Sequence, residues 1–118
     1  MRFAVCRLDA NTPVPMELLK PAHEFLSITR TADELSIVCP ESLAPAGAKI
    51  ERGWRALRVQ GPLDFSLTGI IASLTAPLAA AKISVFAVAT FDTDYILVRE
   101  ADLERAIAAL EVSNRVER

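Results

Sequence analysis

Apolar and polar positions alternate most clearly from Arg55 onward. Ala56-Leu57-Arg58-Val59-Gln60 alternates between two faces and runs into Gly61-Pro62, the mark of a strand that ends in a turn. Leu67, Ile70, Ile71, Leu74 and Leu78 then recur at the three-four spacing of an amphipathic helix. Asp64 and Ser66 are its candidate N-caps, and Pro77 is placed to kink its last turns. The run ISVFAVATF, the polar turn Asp92-Thr93-Asp94 and the run YILVRE predict an antiparallel hairpin, because β-branched and aromatic residues fill both arms. Asp102 is placed to cap a last helix in which Leu103, Ala106, Ile107 and Leu110 form one apolar stripe while Glu104, Arg105 and Glu111 face away. The polar tail SNRVER frays unless Val116 adds a short strand.

The N-terminal half follows the same plan less regularly. Phe3–Leu8 reads as a strand, residues 26–29 and 35–38 as a hairpin, and residues 41–48 as a weak helix opposed by Pro45 and Gly47. Displaced by 60 positions without a gap, ITRTADELSIVCPESL lies on VATFDTDYILVREADL, matching Ile28 to Val88, Glu34 to Asp94, Val38 to Val98 and Leu43 to Leu103. This predicts an internal pseudo-repeat, with residues 1–54 as a degenerate first half and 55–118 as the regular one. A β-helix-β-β-helix unit used twice, the strand around Val59 closing one half and opening the other, implies an α+β fold of ferredoxin-like type. Its sheet is antiparallel and its helices lie on one face.

Composition narrows the function. With 52% apolar and 24% charged residues in 118, the chain can pack a core without a disulfide or a metal. Cys6 and Cys39 lie in strand-like apolar contexts without C-x-x-C spacing, and are expected to be reduced core thiols. A net charge of -2, scattered basic residues and no aromatic interleaving with a basic run argue against nucleic acid as a partner. The N-terminal apolar stretch is too short for a signal sequence. Residues 70–88 are interrupted by Ser73, Thr75, Pro77, Lys82 and Ser84, so no membrane partner is expected and a cytoplasmic location is.

Catalytic signatures are weak. The one histidine, His23, sits in a polar segment with Lys20 and Glu24, and there is no G-x-S-x-G elbow. The four glycines, at 47, 53, 61 and 69, are too dispersed to cradle a phosphate. Asp92 and Asp94 are spaced i, i+2 and could in principle hold a divalent cation, but bonding to the turn backbone is the simpler role. Neither an enzymatic activity nor a metal or cofactor is expected.

The run GWRALRVQGPLDFSLTGIIASLTAPLAAAKISVFAVATFDTDYILVREADLERAIAAL resembles an ACT domain. Within that class it is similar to the subfamily of the cytosolic arginine sensors and small bacterial ACT proteins, most specifically over PLAAAKISVFAVATFDTDYILV. The N-terminal half resembles the degenerate first module of such proteins, with SITRTADELSIVC as its marker. The resemblance implies a βαββαβ fold that binds a small ligand, usually an amino acid, beside the loop into the first helix at a module or subunit interface. Carried over, Gly69 and Ile70 match helix-start positions, and Thr90, Phe91 and Asp94 match strand-end and turn positions that line the ligand site. The acidic residue those sensors carry two positions before the glycine is Leu67 here, so a second carboxylate for a guanidinium is missing.

The chemistry is consistent with that site. A glycine in the first helical turn permits close approach to the backbone, and the free N–H groups there favour an α-carboxylate. Asp94 or Asp92 supplies the opposite charge for an ammonium, and Ile70 and Phe91 can wall the apolar part. The expected function is a small-molecule-binding regulatory module, and the alternative is a structural dimerisation module without ligand. The apolar, alanine-rich run Leu78-Ala79-Ala80-Ala81 predicts a homodimer in either case.

Overall fold

The computed structural model of the chain describes residues 1–21, 23–59 and 69–116. It divides into two compact units, Met1–Trp54 and Arg55–Arg118.

In the first unit, β1 (Phe3–Leu8) pairs antiparallel with β3 (Leu35–Pro40), from Phe3 opposite Pro40 to Leu8 opposite Leu35. The other edge of β1 pairs with the early residues of β4 (Lys49–Arg58), and β2 (Ser27–Arg30) lines the outer edge of β3. Phe3 faces Trp54 but Val5 faces Glu51, so β4 carries one extra residue, a bulge. Gly53 takes the left-handed conformation there, with φ +79°, and its N–H donates to Glu41 Oε2 at 2.6 Å. Side chains alternate across the pleat, so Ala4 and Cys6 of β1 share one face with Leu35, Ile37 and Cys39 of β3. Leu18, on a 3₁₀ turn at Met16–Leu19, is fully buried against that face.

The second unit contains the rest of β4, α1 (Ile70–Ala80), β5 (Val85–Ala89), β6 (Asp94–Arg99) and α2 (Leu103–Glu111). β6 lies between β4 and β5, and pairs antiparallel with β5 from Val85 opposite Val98 to Ala89 opposite Asp94. Leu78 of α1, Ile96 and Val98 of β6, and Ala106 and Leu110 of α2 form its core, with Leu57, Leu74 and Leu103 packed around them. A side chain the size of Leu78, fully buried, contributes about 1.5–3 kcal/mol. Arg105 donates from Nη2 to the Ala81 carbonyl at 2.7 Å, setting a cation on the last carbonyls of α1 where the helix dipole is negative.

Several details depart from the sequence expectation. The strand expected over 56–60 is ten residues long and starts at Lys49, because its first part finds a partner in β1. The helix expected over 41–48 is only a 3₁₀ turn at Glu41–Leu43, since Pro45 has no N–H to continue it. Asp102 occupies the N-cap position of α2, but its carboxylate binds Arg105 Nη1 at 2.9 Å instead of capping backbone. α1 runs through Pro77 to Ala80. Val116 adds no strand and packs, partly buried, against the second core. Asp64, Ser66 and Leu67 lie outside the described residues.

The two hairpins correspond at a spacing of 59, not 60. Thr31 N–H donates to the Glu34 carbonyl at 2.9 Å, and Thr90 N–H donates to the Thr93 carbonyl at 2.8 Å. The hydroxyl of Thr31 accepts the Glu34 N–H at 3.2 Å, and that of Thr90 accepts the Thr93 N–H at 3.2 Å. Each hairpin then leads into a 3₁₀ turn, Glu41–Leu43 and Glu100–Asp102. Spacing matters because a slip of one residue moves every side chain to the opposite face of a strand. At 59, Ile37 corresponds to Ile96, and both lie in their units' cores; at 60 it would match Leu97 on the reverse face.

Candidate functional site

Of the expected site residues, Thr90, Phe91 and Asp94 lie at the β5–β6 turn of the second unit. β5 begins opposite the Val98 end of β6 and finishes opposite Asp94. α1 leads into β5 through Ala81 to Ser84, with Ile83 N–H bonded to the Leu78 carbonyl at 2.9 Å, so α1 ends near the Val98 end.

Gly69 is the N-cap of α1, not a residue of its first turn, and has φ +77°. Its carbonyl accepts the Ser73 N–H at 2.9 Å, the bond that opens the helix. A β-carbon at Gly69 would meet nothing within 4 Å, so the glycine is required by its left-handed backbone, not by packing. Lacking a side chain, Gly69 makes no side-chain cap to the first N–H groups of α1. Ile70 is half-buried at the head of the helix.

Thr90, Phe91 and Asp94 form the β5–β6 turn and its exit. Besides its N–H bond, Thr90 donates its hydroxyl to the Thr93 carbonyl at 3.0 Å. Phe91 stands at the tip, 80% exposed. Asp94 opens β6, and by alternation its side chain falls on the face that carries Ile96 and Val98, the face covered by the helices. Thr93, absent from the expected set, ties the turn to the neighbouring strand. Its hydroxyl donates to the Val59 carbonyl at 2.7 Å, while Val59 N–H donates to the Asp94 carbonyl at 3.0 Å. Among the described residues it is the one buried polar side chain. Its only signal in the sequence is a hydroxyl between two aspartates. The end of β4 therefore lies directly beside the β5–β6 turn. Among the described residues, no group of three or more His, Cys, Asp or Glu side chains could hold a metal ion. Nor is any described helix long and apolar enough to cross a membrane.

The profile of the ACT domain family matches residues 49–112, more than half of the chain, and the protein belongs to that family. A second profile, described as an N-terminal domain, matches residues 1–46. Among named relatives, the mouse cytosolic arginine sensor for mTORC1 subunit 1 is 32% identical over 102 residues, covering 86% of this chain. That stretch is 30% of the mouse protein, so the chain spans about a third of its length. A crystal structure of an Agobacterium tumefaciens protein is 35% identical with a TM-score of 0.84, covering 99% of this chain and 91% of that one. Aspartate kinase from Clostridium acetobutylicum, at 14% identity, shares the fold with a TM-score of 0.68 over 92% of this chain and 32% of its own.

Proposed function

We propose that the protein is a regulatory module that binds a small zwitterion, most plainly an amino acid, at the start of α1 and the β5–β6 turn. The carboxylate would sit on the N–H groups at Ile70 and Ile71, the ammonium toward Asp94, and the apolar part between Ile70 and Phe91. The observation that carries this reading is the bonding of Thr93 and Asp94 to Val59, which holds the acidic turn against the end of β4. A helix start carries a fractional positive charge and unpaired donors, and Asp94 carries a full negative one, so the gap between them is polarised to suit a zwitterion. Gly69, Thr90 and Phe91 are exposed, so the pocket needs a second wall, which we assign to a subunit interface in a homodimer. The name of the mouse relative supports an amino acid as the ligand class, while Leu67 weakens the case for arginine itself.

A thermal-shift scan over the common amino acids, arginine included, tests the reading. A ligand at a hundred times its dissociation constant stabilises by about 2.7 kcal/mol. No shift with any of them would favour the second reading, a dimerisation module without ligand. One feature of α1 favours that reading: no charged side chain occurs in Ile70–Ala80 although much of it is exposed, Ile71 at 39%. Light scattering tests the dimer, and a monomer of 12.8 kDa at high concentration would remove the interface.

A further inference from the structure

The two cysteines lie side by side in the core of the first unit. Across the β1–β3 ladder Cys6 faces Ile37 and Cys39 faces Ala4, so the thiols are diagonal neighbours on adjacent strands. Both are buried on the face that carries Ala4, Leu35 and Ile37, and the Cys39 S–H donates to Cys6 Sγ. Ala4, opposite Cys39 and two residues before Cys6, sets only a methyl group beside the pair. Diagonal neighbours have α-carbons about 7–8 Å apart, whereas a disulfide usually spans ~4.4–6.8 Å. The pair is therefore spaced better for an atom between its sulfurs than for a bond. Two thiolates on opposite sides of one metal ion stand about 4.6 Å apart, twice a metal–sulfur bond of about 2.3 Å. Thiolate donors favour soft ions such as copper(I), and a coordinated thiol gives up its proton outright.

The surroundings supply the matching charge. One copper(I) ion held by two thiolates has one negative charge in excess, which is costly in an apolar core unless it is countered. β4 bulges opposite Ala4, between the pairs Phe3–Trp54 and Val5–Glu51, and Arg52 stands there two residues after Ile50, which packs on the thiol face. Arg52 Nη1 donates to the Glu41 carbonyl at 3.3 Å, two residues beyond Cys39. Burial raises both thiols, and the Arg52 charge pulls both back. Arg52 is exposed, and the ladder beside it is interrupted, so the bulge offers an entry path from solvent to the pair.

We propose that Cys6 and Cys39 form a two-coordinate site for copper(I), with Arg52 balancing the charge of the bis-thiolate. Binding replaces two S–H bonds with two Cu–S bonds and releases both protons, and no atom changes oxidation state. Anaerobic titration of the folded protein with copper(I), in competition with the chelator bicinchoninate, tests it. One equivalent should bind, two protons should be released per copper near neutral pH, and X-ray absorption should show two sulfur neighbours. Cys6→Ser and Cys39→Ser should each abolish this binding, while Met16→Leu, at an exposed thioether, should leave it unchanged. Arg52→Gln should weaken it about tenfold, the effect of one nearby countercharge on a thiolate. If a cysteine variant fails to fold, the stoichiometry, proton release and two-sulfur shell of the unaltered protein decide alone. No binding by the folded protein, binding that survives loss of either thiol, a first shell other than two sulfurs, or indifference to Arg52→Gln would overturn the proposal.

Discussion

Thr31 and Thr90 open two four-residue turns closed by the same backbone bond, at 2.9 Å and 2.8 Å, and by the same hydroxyl bond back to the turn. Beyond that skeleton the turns diverge. In the first, Ala32 follows the threonine and β3 opens on Leu35, fully buried in the core. In the second, Phe91 follows it, exposed at the tip, and β6 opens on Asp94. The turn depends on its backbone and its threonine, so the other side chains are free to serve packing in one unit and, in the proposed site, recognition in the other. Of the two hairpins, only β5–β6 presents a carboxylate where its strand leaves the turn.

The helices differ in the same instructive way. Between β1 and β2 the chain carries Pro13, Pro15 and Pro21, and its described residues form only the 3₁₀ turn at Met16–Leu19 as helical structure. α1, alanine-rich, runs for eleven residues. Each nevertheless places one leucine, Leu18 or Leu78, fully buried in its core. Covering a sheet face requires an apolar side chain at the right point; it does not require a helix.

The comparison can be tested at four levels. Leu18→Ala and Leu78→Ala should each cost about 2–5 kcal/mol in urea unfolding. A loss below about 1 kcal/mol for Leu18→Ala alone would mean that the 3₁₀ turn does not serve as a core element. For the site, Asp94→Asn should weaken binding of the amino acid found in the scan by about 1.5–3 kcal/mol, roughly tenfold to a hundredfold. Glu34→Gln, which a spacing of 60 would equate with it, should change nothing. Calorimetry showing unchanged affinity in a folded Asp94→Asn protein would place the pocket elsewhere.

The third test concerns the buried thiols, both in the first unit. Burial raises Cys6 and pushes Cys39 up to about 12 from the ordinary 9.0, with the neighbouring thiol Cys6 adding to the rise at Cys39. Arg52 opposes the shift at both. A folded value above the unfolded one means stability that is fully present below pH 9.0 and lost as pH rises toward 12. The unfolding free energy from urea titration should therefore fall across that range by about 1.4 kcal/mol per pH unit for each thiol that stays protonated in the fold, and Cys39→Ala should flatten the slope. A slope unaffected by the substitution would assign the alkaline loss to other groups. The smallest effect is expected at the turns. Thr31→Val and Thr90→Val should each cost about 0.5–1.5 kcal/mol by thermal unfolding, and a clear inequality would mean that the two turns are not equivalent.

Much of this architecture follows from local pattern. β1, the β2–β3 and β5–β6 hairpins and the buried stripe of α2 lie where alternation and three-four spacing predict them, because side-chain period is a property of a few neighbouring residues. The order Gly69, Ile70, Thr90, Phe91, Asp94 was likewise visible along the chain. What local pattern leaves undetermined is anything decided by a distant partner. A spacing of 60 and one of 59 align similar alternating strings, and only the bonds across each hairpin choose 59 and put Ile37 in correspondence with Ile96. β4 reaches back to Lys49 because β1 pairs with it, and Thr93 matters because Val59, 34 positions earlier, presents its carbonyl there. Period and face are written in the sequence to within a one-residue slip, whereas register, strand length and the tie beneath the candidate site come from hydrogen bonds that exist only once remote segments have met.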